Sequence, residues 1–263
     1  MSKRVDLINM FYDGYQEDVR LSESRHGQLE YLTTMHYVHK MLPENAKILE
    51  VGAGTGRYSI ALAKEGYEVT SIELAENNLE ILQKNSRGIE NINVLQGDAL
   101  DLSPLKDNTY DLTLVLGPLY HLYEKEEQQR ALKEAIRVTK NNGIVMIAFL
   151  SVHAVLFDNY LQGNLRSGLE ENFTPEYRVK HFTEQLFTGF NIDEFESLFK
   201  DMPVEWVTTA ATDNILELAE GRSDFTMSDD EFEAFAKYHL HHCERRELLG
   251  CSSHLLYICK KLH

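Results

Sequence analysis

Ile48-Leu49-Glu50-Val51-Gly52-Ala53-Gly54-Thr55-Gly56 is the stretch on which the reading of this chain turns. A short apolar run leads into three alternate glycines, and the amphipathic stretch Arg57–Lys64 follows, which reads as strand, tight turn and helix. Glycine admits positive φ and lets a ligand approach the backbone, while N–H groups at the following helix start can face a negative group. The turn is a cofactor-binding candidate. A dinucleotide fingerprint would place its third glycine one residue later, where Arg57 stands, and does not usually carry an acid where Glu50 stands.

Working outward, short apolar runs alternate with longer amphipathic ones: strand Lys47–Val51, helix Arg57–Lys64, strand Glu68–Glu73, helix Glu76–Asn85 and strand Asn93–Gln96. Strand Asp111–Leu116, helix Lys125–Thr139 and strand Ile144–Leu150 continue the series. The strands are apolar almost throughout, as expected where helices cover both faces of a parallel sheet, so the fold class is α/β, a doubly wound, mostly parallel sheet. Gly66 and Asn141-Asn142-Gly143 supply the left-handed turns between helix and strand.

Residues 1–45 show helical periodicity, with Leu7, Ile8, Phe11, Tyr12 and Tyr15 on one face. Residues 46–150 form the α/β core. Between 151 and 190 the rhythm fails and aromatics crowd together, which predicts an inserted helical cap; a satellite helical pair packed on the sheet fits equally. Residues 191–263 complete the core with helix Ile192–Phe199, strand Glu205–Thr209, a helix opened by the capping box Ser228-Asp229-Asp230-Glu231, and strand Leu255–Cys259.

Composition narrows the partners. The 263 residues carry 26 Lys+Arg against 42 Asp+Glu, a net charge of −16, and no basic run exceeds a pair, so nucleic acid and anionic membranes are disfavoured. The first residues do not read as a secretory leader, and no apolar run reaches the ~18 residues that span a bilayer. Cys243, Cys251 and Cys259 make no disulfide framework, so a cytoplasmic setting is expected. His239 and Cys243 have a workable metal-ligand spacing with His242 beside them, yet both lie on an apolar helical stripe and no CxxC is present. No metal site is expected.

Two further acids follow strands. Glu73, with Leu74 after it, can accept two ribose hydroxyls, and Asp98 precedes Ala99 after the third strand. Each alone reads as readily as a solvated strand-end carboxylate. In order, behind the glycine turn, they resemble the class I S-adenosylmethionine-dependent methyltransferases from about Ala46 to Ser151. The family's E/D-x-G-x-G-x-G motif is matched by Glu50, Gly52, Gly54 and Gly56, with Ala53 inside the turn. The resemblance implies S-adenosylmethionine as cofactor and S-adenosylhomocysteine as product. It implies Glu73 and Leu74 at the ribose, and Asp98 and Ala99 at the adenine. It further implies a seven-stranded sheet ordered 3-2-1-4-5-7-6, with the Leu255–Cys259 strand antiparallel. In similar proteins the N-terminal helices fold over the cofactor, which makes Arg25 a candidate clamp for the methionine carboxylate.

In that fold the acceptor meets the methyl group near the end of the fourth strand, here Leu116-Gly117-Pro118-Leu119-Tyr120-His121-Leu122. Relatives acting on base amines or glutamine amides carry N/D-P-P-Y/F/W there; Gly117 departs from it. The segment looks more like the small-molecule methyltransferases. Methyl transfer is a displacement in which alignment supplies most of the acceleration. His121 is the candidate base and Tyr120 a candidate pocket wall, although packing is the ordinary role of both types. The expected acceptor is a small uncharged or cationic molecule. A non-catalytic S-adenosylmethionine-binding protein or partner subunit, and a NAD-dependent oxidoreductase, are the alternatives.

Overall fold

The computed structural model describes residues 3–15, 17–161, 163–182 and 186–263. Three helices, α1 (Lys3–Tyr12), α2 (Glu17–Glu23) and α3 (Arg25–Met41), precede the sheet. Ser24 caps α3 by accepting from the Gly27 N–H at 3.1 Å. Gly27 is there for a close approach: a Cβ on it would sit 2.2 Å from the Arg20 carbonyl oxygen, so α2 rests directly on α3.

β1 (Lys47–Val51), β2 (Glu68–Glu73), β3 (Ile92–Gln96), β4 (Tyr110–Val115) and β5 (Thr139–Ser151) are parallel neighbours in the order 3-2-1-4-5. Their crossovers carry α4 (Arg57–Lys64), α5 (Glu76–Asn85) and α6 (Lys125–Val138). α6 buries Ala131, Leu132, Ala135, Ile136 and Val138 against the sheet, the one-sided stripe of a covering helix. Beyond β5 come α7 (Val152–Tyr160), α8 (Leu165–Asn172), the two-residue β6 (Gly189–Phe190), α9 (Ile192–Ser197) and β7 (Val204–Ala211). α10 (Leu216–Glu220), α11 (Asp229–His242), α12 (Arg246–Leu249) and β8 (His254–Lys261) complete the described chain.

β8 enters between β5 and β7, antiparallel to both. Leaving β6 aside, the order is the 3-2-1-4-5-7-6 expected from the sequence; counting it, the sheet has eight strands rather than seven. β6 exists because β5 outruns β4: β4 pairs only as far as Ile147, and Gly189 and Phe190 take the backbone groups left open at Leu150 and Ser151.

Other local expectations are refined or changed. β5 begins at Thr139, not Ile144, because α6 runs straight into it and the β4–β5 register slips between Tyr110 and Leu112. In the expected Asn141-Asn142-Gly143 turn the left-handed residue is Asn142, at φ 64. In 151–190 the aromatics do not form one lid. Phe190 is buried in the main core, Tyr177 is largely exposed, and Phe173 packs with Val152 and Leu156 beneath α7 and α8. The capping box at Ser228 and Glu231 is present, with both halves made.

Candidate functional site

The three glycines of the β1–α4 turn all take positive φ: 77° at Gly52, 55° at Gly54 and 92° at Gly56. At Gly52 a Cβ would lie 2.6 Å from Pro118 Cδ, so the turn abuts the loop after β4. Its shape is fixed by the Gly52 and Ala53 N–H groups, which donate to the Ile72 carbonyl at 2.8 and 3.0 Å. Gly52, Ala53 and Gly54 border a cavity of about 450 Å³, within the ~300–1,000 Å³ usual for small-molecule sites. Gly56, expected beside the cofactor, is outside this lining. It is the N-terminal residue of α4's cap, and a Cβ there would meet Leu82 Cδ1 at 2.2 Å, so its smallness serves helix packing.

The acids divide by role. Glu50 is buried under the turn, where its Oε2 accepts from the Ser59 N–H at 2.9 Å and from the Ser59 hydroxyl. Burial pushes its carboxyl up to about 8, against the opposing effect of the Ser59 bonds. It edges the cavity while bracing the first turn of α4. Glu73 lies in the cavity wall and accepts from Gly54 N–H at 2.7 Å and Ala75 N–H at 2.8 Å. Burial raises it to about 7, with those N–H groups pulling the other way. Asp98 accepts from the Leu100 N–H at 3.0 Å and is ion-paired with Arg4 of α1, which ties α1 over the end of β3. Leu74, Ala99, Leu116 and Gly117 also line the cavity. So does Asn78, whose buried Oδ1 has no hydrogen-bond partner.

Arg25 is the sequence candidate that the structure places elsewhere. Its guanidinium bonds Gln28 Oε1 at 3.0 Å and Asp229 at 2.5 Å and stacks over Phe232, so it pins α3 to α11 outside the cavity lining. The arginines that do border the cavity are Arg4, Arg20 and Arg57. Arg20 forks onto Glu30 at 2.6 and 3.1 Å and also reaches Glu17 at 3.0 Å.

At the other end, Pro118–His121 form a 3-10 turn that follows Gly117, itself at φ 115. His121 Nδ1 donates to the Leu186 carbonyl at 2.8 Å, which leaves Nε2 as acceptor for the Tyr12 hydroxyl at 3.3 Å. Burial lowers this imidazole to about 4, so it is neutral at physiological pH. Tyr120 is buried with its ring centroid 6.0 Å from that of His254. Phe11, Tyr12 and Tyr15 contribute an aromatic wall, and Phe187 packs on Phe11 at 5.2 Å. Phe187 is the one aromatic from 151–190 in this lining among the described residues.

Sequence reasoning missed a further group, of which Glu217 and His254 border the same cavity. His254 Nδ1 donates to Asp213 at 2.7 Å; burial opposes its charge, but Glu30 and Asp213 outweigh burial and raise it to about 9. Asp213, Glu217 and His254 are the one cluster of ligand-type atoms that converges among the described residues, within 4.8 Å of one another. The helix pair His239 and Cys243 does not: His239 Nδ1 meets Asn214 at 3.2 Å, and Cys243 Sγ lies 3.3 Å from the Tyr37 hydroxyl. No spacing in the sequence signals the Asp213 group, which comes from three separate elements.

A sheet in this order, with a glycine turn after β1 and acids at the ends of β2 and β3, defines the Rossmann-like class I methyltransferase fold. Residues 49–147 match the family model described as a methyltransferase domain. The α/β core of this chain is thus similar to methyltransferase domains, and its fold is that of the class I methyltransferases. Over 107 residues the chain is 37% identical to the demethylmenaquinone methyltransferase of Staphylococcus aureus, covering 39% of this chain and 42% of that protein. The chain spans less than half the length of the curated relatives it matches. Among solved structures, a Thermotoga maritima methyltransferase given as a possible histamine N-methyltransferase aligns with a TM-score of 0.59 at 20% identity, over 99% of this chain and 100% of that one. A Pyrococcus horikoshii protein aligns with a TM-score of 0.61 at 16% identity, over 96% and 98%. These two likenesses bear on the fold.

Proposed function

We propose that the protein binds S-adenosylmethionine in this cavity and directs its methyl group to a small acceptor held between α1 and β8. The observation that carries the reading is one continuous cavity, running from the glycine turn and Glu73 to the aromatic wall around His121. The bound cofactor would supply a methyl group on a cationic sulfur that becomes neutral on transfer.

The residues suit that group. Glu73 offers two carboxylate oxygens to a ribose diol, and the orphaned Oδ1 of Asn78 beside it wants a donor. Asp98 and Ala99 fit the adenine side, Leu74 the ribose, and Gly52, Ala53 and Gly54, with Leu116 and Gly117, the methionine end. Glu50 and Gly56 act from behind, holding the turn in shape. His121, neutral and fixed by its Nδ1–H, presents a lone pair toward Tyr12 at the acceptor end, an arrangement that can take a proton from the acceptor directly or through the Tyr12 hydroxyl. Tyr120 floors the same space.

The fold does not by itself make an enzyme. Titration calorimetry with S-adenosylhomocysteine and NAD, followed by transfer of a labelled methyl group into a metabolite pool, tests the reading. S-adenosylhomocysteine binding without NAD binding, and label in a small molecule, are expected. Binding without transfer would leave a non-catalytic binder or partner subunit, and NAD binding would overturn the cofactor. No helix among the described residues is long and apolar enough to cross a membrane, and the three cysteines are unpaired. A cytoplasmic setting, where thiols stay reduced, suits them.

A further inference from the structure

Most of the acids in or just behind the cavity wall have a partner. Asp98 is paired with Arg4, Glu17 and Glu30 with Arg20, and Asp213 with His254. Glu73 is held by two backbone N–H groups and Glu50 by Ser59. Glu217 and Asp158 are different. The Oε2 of Glu217 is fully covered and has no hydrogen-bond partner. Asp158 accepts from the Ser253 hydroxyl at 2.5 Å and makes no ion pair among the described residues, with His254 acting on it only through space. The two lie close enough for Glu217 to disfavour ionisation of Asp158.

Such carboxylates are costly to cover unless a positive charge accompanies them. His254 lies within 4.8 Å of Glu217, but its Nδ1 is bonded to Asp213 and also faces Glu30, so one imidazolium serves several acids. Independently, the same cavity is lined by the aromatic rings of Phe11, Tyr12, Tyr15 and Phe187, and Tyr15 lies within the field of Glu217. Aromatic faces beside unmatched carboxylates are the complement of an organic cation, which each attracts by a different route.

We propose, building on the cofactor reading above, that the acceptor is a small molecule bearing a protonated amine or quaternary ammonium group, with that cation held by Glu217 and Asp158 and its body against the Phe11–Phe187 wall. A neutral acceptor leaves the covered Oε2 of Glu217 without a partner, and an anionic one is repelled. A divalent metal on Asp213, Glu217 and His254 is the rival occupant.

Protein saturated with S-adenosylhomocysteine is titrated with three probes of one shape, 2-phenylethylamine, 2-phenylethanol and phenylacetate, and separately with Mn²⁺. The amine is expected to bind at least about tenfold more tightly than the alcohol, and phenylacetate most weakly. Glu217→Gln should bring amine and alcohol within about twofold of each other while S-adenosylhomocysteine affinity, the control for an intact fold, stays within about twofold. Asp158→Asn should shift the preference in the same direction. Equal binding of amine and alcohol, no binding of the amine, or Mn²⁺ binding that displaces the amine and is lost in Glu217→Gln overturns the proposal. A protein that ignores S-adenosylhomocysteine yet keeps the amine preference overturns the cofactor reading instead.

Discussion

Glu50 keeps its proton to about pH 8 because the turn above it excludes water, whereas an unfolded glutamate releases it near 4.5. A folded-state value raised in this way gives stability that is complete below pH 4.5 and is lost as pH climbs through 8. Glu73, raised to about 7, adds a slope of the same sign. His121 has the opposite sign: its lowered value gives stability present above 6.5 that disappears as pH falls through 4. Glu50→Gln, which cannot ionise, is therefore expected to flatten the fall of the thermal midpoint between about pH 5 and pH 8. Melting curves across that range check it, and a wild-type slope in the variant would show that Glu50 ionises freely.

At the scale of elements, α1 to α3 decide whether the cavity has a roof. α2 leans on α3 at Gly27, and from that contact Arg20 reaches Glu17 and Glu30 in the cavity lining. Gly27→Val should push α2 away and lower S-adenosylhomocysteine affinity by about tenfold or more. Amide exchange should quicken in α1 and α2 and stay unchanged in β1, β4 and β5; faster exchange throughout the sheet would contradict a local effect. The sequence made β1, β2, α4, α5 and the helical segment before them legible because each is set by periodicity and a turn residue of its own. β6, α10 and the 3-10 turn at Pro118 are short and owe their form to neighbours, so no local pattern announces them. The same holds within the site. The glycine turn, Glu73 and Asp98 were readable because they stand at fixed places relative to strands. The side Arg25 faces depends on how α3 rolls against α11, and Asp213, Glu217 and His254 meet only after β7 and β8 pair.

Over the whole molecule the charge of −16 sets a long-range field as well as a composition. A cation approaching the cavity is drawn in by it and an anion held off. The association rate of 2-phenylethylamine is therefore expected to fall several-fold between about 20 mM and about 500 mM salt, with the rate for 2-phenylethanol unchanged. Stopped-flow fluorescence measures both; equal salt dependence would remove steering from the account.

β8 also carries a consequence for biogenesis. β5 pairs on its far side with residues 254–261, so a ribosome must have made those residues, more than a hundred after β5 itself, before β5 gains its antiparallel neighbour. Until then the nascent chain shows an unsealed, strongly apolar strand to the cell, and it is at this interval that a holding chaperone would be expected to engage it.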